Sequence, residues 1–149
     1  VDSIEKWCRT EGCNRYSHVQ PLTILADSGG SNGCTCRAWK FGLQHQLCVR
    51  HGLTVTVAHY PPGASKWNPI EHRLFSELSK NWAARPLDSL ATILKYARTT
   101  ATTTGLRVRA HLVRKNYPKG VKISDKQMRQ LTIASDPTLP RWNYTIQPL

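Results

Sequence analysis

Two acidic residues next to predicted secondary-structure elements are the strongest candidates for chemistry in this chain. Asp27 directly follows the apolar run of residues 22–26, and Glu71 lies three residues after Asn68, in a segment that predicts the start of a helix. Carboxylates are preferred ligands of Mg²⁺ and Mn²⁺, which are usually held by one or two carboxylates together with substrate phosphate and water. If both side chains reach one edge of a sheet, they could support metal-dependent phosphoryl chemistry.

Both acids also fit purely structural roles. Asp27 precedes Ser28 and two glycines, a context in which aspartate often only forms an Asx turn. Glu71 stands at the third helical position, from which its side chain could close a capping box with Asn68. The spacing of the residues leaves the metal site and these structural roles open.

The chain between the two acids predicts a strand-helix-strand unit. Residues 22–26 form an apolar run too short for a helix, residues 35–51 have helical apolar spacing, and residues 53–60 alternate with period two. A crossover of this kind is nearly always right-handed, and its parallel strands end at one edge. Ligands bind at that edge in open α/β sheets. Asp27 is expected there, at the end of the first strand.

The loop after the second strand leads to a capped helix. Asn68 is a good N-cap and Pro69 is a good first helical residue. Glu71 falls in the first turn, beside an apolar stripe that would face the sheet. We therefore expect the carboxylates of Asp27 and Glu71 to converge at the same edge.

Further elements are expected on either side of this unit. No repeat or linker divides the sequence, which we expect to form a single domain over residues 1–149. The other predicted elements are a helix over residues 3–16, a helix over 87–101, a strand or ribbon with one cationic face over 106–112, a short helix capped by Ser124, and an edge strand within 142–146.

The charge balance indicates a polyanionic partner. Twenty-one Lys and Arg residues against nine Asp and Glu residues give a net charge of +12, which attracts nucleic acid or, in competition, an anionic membrane surface. No apolar run approaches the roughly 18 residues of a membrane span, and the charged start does not fit a secretory signal. Five cysteines, odd in number and irregularly spaced, are a poor disulfide framework. We expect a cytoplasmic protein without a membrane partner.

Several basic and aromatic residues are candidates for contact with DNA. Lys66 and Trp67 precede the helix of Glu71, where a cation and a stacking ring could meet a DNA end. Trp67 could equally be the hydrophobic staple of that helix. A basic run follows residue 105 and could either track phosphates or form only a solvated face. Its residues are Arg107, Arg109, Arg114, Lys115, Lys119 and Lys122.

Histidines and cysteines offer two further hypotheses. His59 and His72 flank the proposed acidic site and could orient substrate or water, although lone histidines near a strand end are more often structural. Four residues could also supply zinc ligands, but their spacing matches no standard zinc finger, so we expect no zinc and reduced, partly buried thiols. These residues are Cys34, Cys36, Cys48 and His51.

Four stretches of the sequence resemble DDE transposases of bacterial insertion sequences, in particular the ISAzo group. The likeness extends over almost the whole chain and implies a bacterial protein with an RNase H-like catalytic domain. In that domain three acids bind two Mg²⁺ (or Mn²⁺) ions to cleave and join DNA at transposon ends. By position, Asp27 is similar to the second acid and Glu71 to the third. The stretches are residues 26–33 (ADSGGSNG), 59–75 (HYPPGASKWNPIEHRLF), 102–108 (TTTGLRV) and 142–144 (WNY).

The first acid of the family has no counterpart in this sequence. In the family it lies on a strand hairpin before the first helix, and Asp2 falls at the helix start, where it is a cap rather than a ligand. The resemblance implies an α/β, incomplete RNase H-like fold with two parallel central strands flanked by helices and a basic C-terminal extension. It also implies a transposase fragment that is inactive alone or, alternatively, a non-catalytic remnant that binds DNA or self-associates.

The incomplete fold has a consequence for assembly. The strand at residues 22–26 would border missing strands and leave an apolar edge uncovered. We expect a homodimer or another homo-oligomer, formed by pairing of sheets or by exchange of residues 142–146 between copies.

Overall fold

The apolar and β-branched runs before Asp27 and before Tyr60 form strands, as their composition predicts. A computed structural model describes residues 1–149, with Ser65 described by its backbone alone. The chain divides into two units: a sheet unit, Val1–Ala64 with Lys119–Leu149, and a helical unit, Ser65–Pro118. That residues 1–149 act as a single domain stays a prediction.

The sheet unit contains a mixed sheet of four strands in the order β1-β2-β4-β3. β1 and β2 are parallel, with Ala26 opposite His59 at their carboxyl ends, which confirms the predicted parallel pair. β4 pairs antiparallel with both β2 and β3. The strands are β1 (Pro21–Ala26), β2 (Thr54–His59), β3 (Ile133–Ser135) and β4 (Asn143–Ile146).

Two expectations about the sheet are corrected. β1 lies at an edge, so only β2 of the parallel pair is central. The segment at residues 142–146 forms β4 inside the sheet, where an edge strand was expected. Its Tyr144 and Ile146 side chains are buried in the core, and the short strand β3, which the sequence did not predict, pairs with its outer side.

Apart from the 3₁₀ turns Gly30–Asn32 and Ser65–Trp67, the described residues form five helices, and three of them belong to the sheet unit. The helices predicted over residues 3–16 and 35–51 are confirmed, with π-helical segments at Cys8–Gly12 and Gln44–Val49. None of the described helices is long and apolar enough to cross a membrane. In chain order the helices are α1 (residues 2–15), α2 (residues 37–51), α3 (residues 69–82), α4 (Leu90–Thr99) and α5 (Asp125–Arg129).

The core of the sheet unit lies between α2 and the sheet. Leu43 and Leu47 of α2 are fully buried together with Val55 and Val57 of β2 and Ile146 of β4. Full burial of such side chains contributes about 1.5–3 kcal/mol each relative to exposure. This packing holds the parallel pair, and with it the end of β1, against the rest of the unit.

The predicted capping box fixes the start of α5. The Ser124 hydroxyl accepts a hydrogen bond from the Gln127 amide at 3.3 Å, and Gln127 Oε1 accepts from the Ser124 amide at 3.0 Å. Arg37 Nη1 of α2 lies 2.6 Å from Asp125 Oδ1 of α5. The C-terminal part of the sheet unit is thereby joined to α2.

In the helical unit, α3 and α4 pack together. Asn81 Nδ2 of α3 donates to the carbonyl of Tyr96 at 2.6 Å and to Thr100 Oγ1 at 3.1 Å. The predicted helix over residues 87–101 is confirmed with a later start, because the hydroxyl of Ser89 caps it by accepting from the amide of Thr92.

The ribbon expected over residues 106–112 is wrong. A single bridge joins Ala101 to Arg107, and residues 108–118 then form neither helix nor strand. The physical reason is the lack of a partner strand. Only a few residues lie between the end of α4 at Thr99 and the chain that returns at Arg107, so a longer ladder cannot form.

A buried glutamine that the sequence did not single out joins α2 to the start of β3 and the end of β4. Gln44 is fully buried. Its Nε2 donates to the carbonyl of Gln147 at 2.7 Å, and its Oε1 accepts from the Thr132 amide at 2.9 Å and the Thr132 hydroxyl at 3.0 Å. The Gln147 amide also donates directly to the Thr132 carbonyl at 3.1 Å, so Gln44 connects α2 to two segments that are already paired with each other.

We expect Gln44→Leu to lower the free energy of unfolding by about 1–3 kcal/mol, because the partly buried amide of Thr132 loses its acceptor. Urea denaturation followed by tryptophan fluorescence measures the change. Gln46→Leu on the same helix is the matched control and should change the stability by about 0.5 kcal/mol or less. Equal losses in the two variants would contradict the assigned role of Gln44.

Candidate functional site

Asp27 presents its carboxylate at the carboxyl end of β1. The residue is exposed, and Asn32 Nδ2 donates to its Oδ1 at 3.0 Å. Oδ2 lies 3.4 Å from the position that a Cβ on Gly29 would occupy, so the carboxylate sits over the glycine loop. Its hydrogen bond therefore goes to a side chain five residues on, in place of the Asx turn that was the structural alternative. Asn32 orients the carboxylate while the side chain stays accessible.

The main chain around Asp27 is attached to the end of β2. The Tyr60 amide donates to the carbonyl of Ala26 at 2.8 Å, and the Ser28 hydroxyl donates to the carbonyl of Tyr60 at 3.0 Å. His59 Nδ1 lies 3.5 Å from the carbonyl oxygen of Asp27. Ala26, Asp27 and Ser28 therefore each contact His59 or Tyr60, at the end of β2.

His59 continues into a buried row of aromatic side chains. It is only 6% exposed, and its Nε2 lies 3.3 Å from Tyr144 Oη, which accepts a hydrogen bond from Trp39 Nε1 at 2.9 Å. Burial lowers the pKa of His59, and the nearby Lys40 ammonium lowers it further. Burial raises the pKa of Tyr144. Both rings are therefore neutral at neutral pH.

Glu71 lies in the first turn of α3, in the helical unit. Asn68 Oδ1 accepts from the Ile70 amide at 3.4 Å, and the Asn68 carbonyl accepts from the Glu71 amide at 3.0 Å, which supports Asn68 as the cap. In the part of the chain that the structure describes, the Glu71 carboxylate does not bond back to the Asn68 amide, unlike the capping box of α5. The half-buried Glu71 side chain remains available for another partner.

His72 anchors the loop before α3. Its Nε2 donates to the carbonyl of Lys66 at 2.6 Å, and the imidazole is exposed. Lys66 Nζ lies 5.5 Å from the ring centroid of Trp67, a cation–π distance. Trp67 is 70% exposed, so the hydrophobic-staple interpretation of this residue is wrong. The loop thus presents an indole ring and a cation to solvent.

The candidate residues fall into two groups. Asp27 and His59 belong to the sheet unit, whereas Glu71 and the basic and aromatic candidates belong to the helical unit. The convergence of the Asp27 and Glu71 carboxylates on one site stays a prediction. Both ring nitrogens of His59 face protein atoms, and the orientation of substrate or water by His59 or His72 also stays a prediction.

The helical unit contains a groove that sequence reasoning did not identify. Its volume is about 400 Å³. The hydroxyl of Thr102 accepts from the amide of Leu106 at 3.1 Å and shares a hydrogen bond of 2.9 Å with the Thr104 hydroxyl. A guanidinium and hydroxyl groups are suited to contact phosphate oxygens. The groove is lined by His72, Arg73, Glu77, Thr102, Thr104 and Leu106.

The basic segment keeps the alternation that the sequence predicted, even without forming a strand. Arg107 and Arg109 are exposed, and the residues between and beside them are half-buried. Arg114 and Lys115 are exposed as well. The cationic side chains therefore lie on the solvent side of an extended segment.

The cysteines are reduced, and Cys48 belongs to the core. Its thiol donates to the carbonyl of Ile146 at 3.5 Å, and burial raises its pKa to about 11. Cys13 Sγ lies 3.8 Å from His51 Nδ1. Among the described residues, no three or more His, Cys, Asp or Glu side chains form a group that could hold a metal ion.

The chain matches a known protein family. A family model described as the Rhodopirellula transposase DDE domain matches residues 1–148. No curated protein and no solved structure matches the chain. Domains of this kind cleave and join DNA in transposition and typically use divalent metal ions. The match extends over nearly the whole sequence, including both acids, and the chain therefore belongs to the family of insertion-sequence transposases with a DDE domain.

Proposed function

We propose that this chain forms part of the catalytic domain of a DDE transposase, with an incomplete RNase H-like fold, in which Asp27 and Glu71 are metal ligands for DNA strand cleavage and joining. The observation that carries the proposal is the exposed carboxylate of Asp27 at the carboxyl end of a parallel strand, oriented by Asn32. Ligand sites of open α/β sheets lie at such ends.

The donor chemistry fits Mg²⁺ or Mn²⁺. Asp27 and Glu71 offer carboxylate oxygens that no capping bond or ion pair of the described residues engages, and hard divalent ions prefer such ligands. When bound, the ions activate the attacking water or hydroxyl and stabilise the leaving oxygen. Asn32 holds Oδ1 of Asp27, as a partner that orients a ligand should.

The helical unit supplies the proposed contacts with DNA. Ten Lys and Arg residues against three acids lie in residues 65–118, which makes phosphate contact favourable. Trp67 could stack on an unpaired base at a transposon end or target, with Lys66 beside it. The proposed phosphate-contacting residues are Arg107, Arg109, Arg114 and Lys115.

Two acids alone set a limit on activity. A two-metal site of this family needs three acids, and only the second and third have counterparts in this sequence. We propose that the isolated chain binds a divalent ion weakly and does not complete strand transfer.

A second candidate function is non-catalytic. The net charge of +12 and the exposed basic segment favour a protein that binds DNA, or associates with itself, independently of metal. The two functions differ in their dependence on the acids: loss of Asp27 or Glu71 affects only the first.

We expect Asp27→Asn and Glu71→Gln each to weaken Mn²⁺ binding by about tenfold or more, because each removes a charged oxygen ligand. The electron paramagnetic resonance signal of free Mn²⁺ measures the affinity. Asp88→Asn, which removes an exposed carboxylate elsewhere, should leave it unchanged. Wild-type affinity in both acid variants, with salt-dependent DNA binding retained, would favour the non-catalytic function.

Trp67→Ala should weaken binding to a DNA end with unpaired bases by about 5- to 150-fold, equivalent to the loss of one stacked base. Arg107→Gln should reduce the slope of log K against log[salt] by about 1. Fluorescence anisotropy over a salt series measures both. Lys6→Gln in α1 removes the same charge outside the proposed surface. If Lys6→Gln reduces the slope as much as Arg107→Gln does, Arg107 contributes only through the net charge, and the assigned DNA surface is wrong.

Self-association is proposed to occur through the uncovered edge of β1. β1 pairs on one side only, and Leu25 on this strand is 47% exposed. Residues 143–146 pair within their own chain, so we propose sheet pairing rather than exchange of this segment. A charged side chain on such an edge opposes pairing.

Sedimentation velocity at micromolar concentrations should therefore show a dimer, and Leu25→Lys should shift it to monomer. Leu139→Lys, at a residue that is 50% exposed outside the strands, serves as the matched control and should remain dimeric. A monomeric wild-type chain would contradict the proposed self-association.

A further inference from the structure

The end of β2 carries a buried polar residue where the preceding pattern calls for an apolar one. Val55 and Val57 point into the core, and His59 occupies the next inward position. An imidazole is costly to bury unless its nitrogens are hydrogen-bonded. Here both nitrogens have partners: Tyr144 Oη at 3.3 Å and the carbonyl oxygen of Asp27 at 3.5 Å.

The chemistry of the two ends determines the direction of the two outer bonds in this chain, and a neutral His59 ring determines the direction of the bond between them. Trp39 Nε1 can only donate, so Tyr144 Oη is its acceptor. The carbonyl oxygen of Asp27 can only accept, so His59 Nδ1 must carry a proton. In the neutral ring Nε2 then has a free electron pair, which accepts the hydroxyl proton of Tyr144. The donors and acceptors are satisfied in one consistent order.

This order also defines the tautomer of His59. The Asp27 carbonyl can only accept, so Nδ1 carries a proton, and in the neutral ring this is the only ring proton. Burial favours the neutral ring, as does the ammonium of Lys40, which lies 4.6 Å from the centroid of the Tyr144 ring. The hydrogen bond to the Asp27 carbonyl and the charge of the Asp27 carboxylate act in the opposite sense and raise the pKa of His59.

The bond to Asp27 acts on the main chain rather than on the carboxylate. The neighbouring residues are already held, Ala26 by the amide of Tyr60 and Ser28 through its hydroxyl. His59 Nδ1 contacts the carbonyl of Asp27, between these two residues, and constrains it. The peptide plane that follows Asp27 then has a defined orientation, and the side chain over Gly29 starts from a defined backbone.

We propose that His59 is a positioning residue for Asp27, held in its tautomer by the buried pair Tyr144 and Trp39. The inference rests on the proposed function in that Asp27 is taken as a metal ligand. It deepens that function because it assigns to the ligand Asp27 a residue that orients it without contacting the metal. Partners of this kind typically change metal affinity by about 10- to 100-fold.

Two substitutions separate positioning from simple core packing. In His59→Asn the side-chain amide can occupy the place of Nδ1 and donate to Asp27, but it cannot reach Tyr144. In His59→Gln the longer amide can reach Tyr144 but is no longer placed to donate to Asp27. Both variants are expected to lose stability by similar amounts, so a merely structural role predicts similar behaviour.

The first measurement needs no metal. Nitrogen-15 NMR of the wild-type imidazole at pH 7 should show His59 neutral with its proton on Nδ1, and a proton on Nε2 would overturn the proposal. Hydrogen exchange in residues 27–33 should be faster in His59→Gln than in His59→Asn. Equal exchange in the two variants would also overturn it.

The second measurement is Mn²⁺ affinity in the same folded variants. We expect His59→Gln to bind about tenfold more weakly and His59→Asn to remain within about threefold of wild type. His45→Gln and His45→Asn, at an exposed histidine of α2, control for the loss of an imidazole. If the wild-type protein binds no Mn²⁺, the proposed function is wrong. The hydrogen-exchange and tautomer measurements then still test whether His59 positions Asp27. If wild type binds but the two His59 variants match, the positioning fails alone.

Discussion

The parallel register between β1 and β2 is the constraint on which the rest of the candidate site depends. It places Ala26 opposite His59, so that Asp27 leaves the sheet beside the last residue of β2. The register is strongly specified because Val55 and Val57 are buried, and a slip by one residue would turn them to the other face. The packing of α2 on the sheet therefore determines where an exposed carboxylate lies.

Polar groups interrupt the apolar core of the sheet unit at two places. Gln44 pairs main-chain groups near the start of β3 and the end of β4. His59 and Tyr144, with Trp39, form a neutral hydrogen-bonded row that ends at Asp27. Each side-chain nitrogen and oxygen of the two sets has a hydrogen-bond partner, and satisfied partners are the condition under which a buried polar network makes a structure more specific rather than weaker. The first set joins distant parts of the chain, and the second reaches the candidate site.

The two units of the chain share the candidate residues between them. The sheet unit has the buried core and Asp27, while the helical unit has Glu71, an exposed indole and most of the basic segment. In the helical unit the cations lie on short helices and an extended segment with few buried apolar contacts. An excess of exposed cations of this kind attracts polyanions. Membership in the DDE transposase family implies DNA as the partner.

The sequence by itself determined the local elements and the identity of the candidate ligands. Composition and period predicted β1, β2, α2 and the caps Asn68 and Ser124, because these depend on neighbouring residues alone. It did not predict the short strand β3, the interior place of β4 or the failure of residues 106–112 to form a strand, since strand pairing depends on which distant segment is available. The bond of Asn32 to Asp27 and the burial of His59 against Tyr144 also arise only when the chain is folded, because they join residues whose proximity no local pattern encodes.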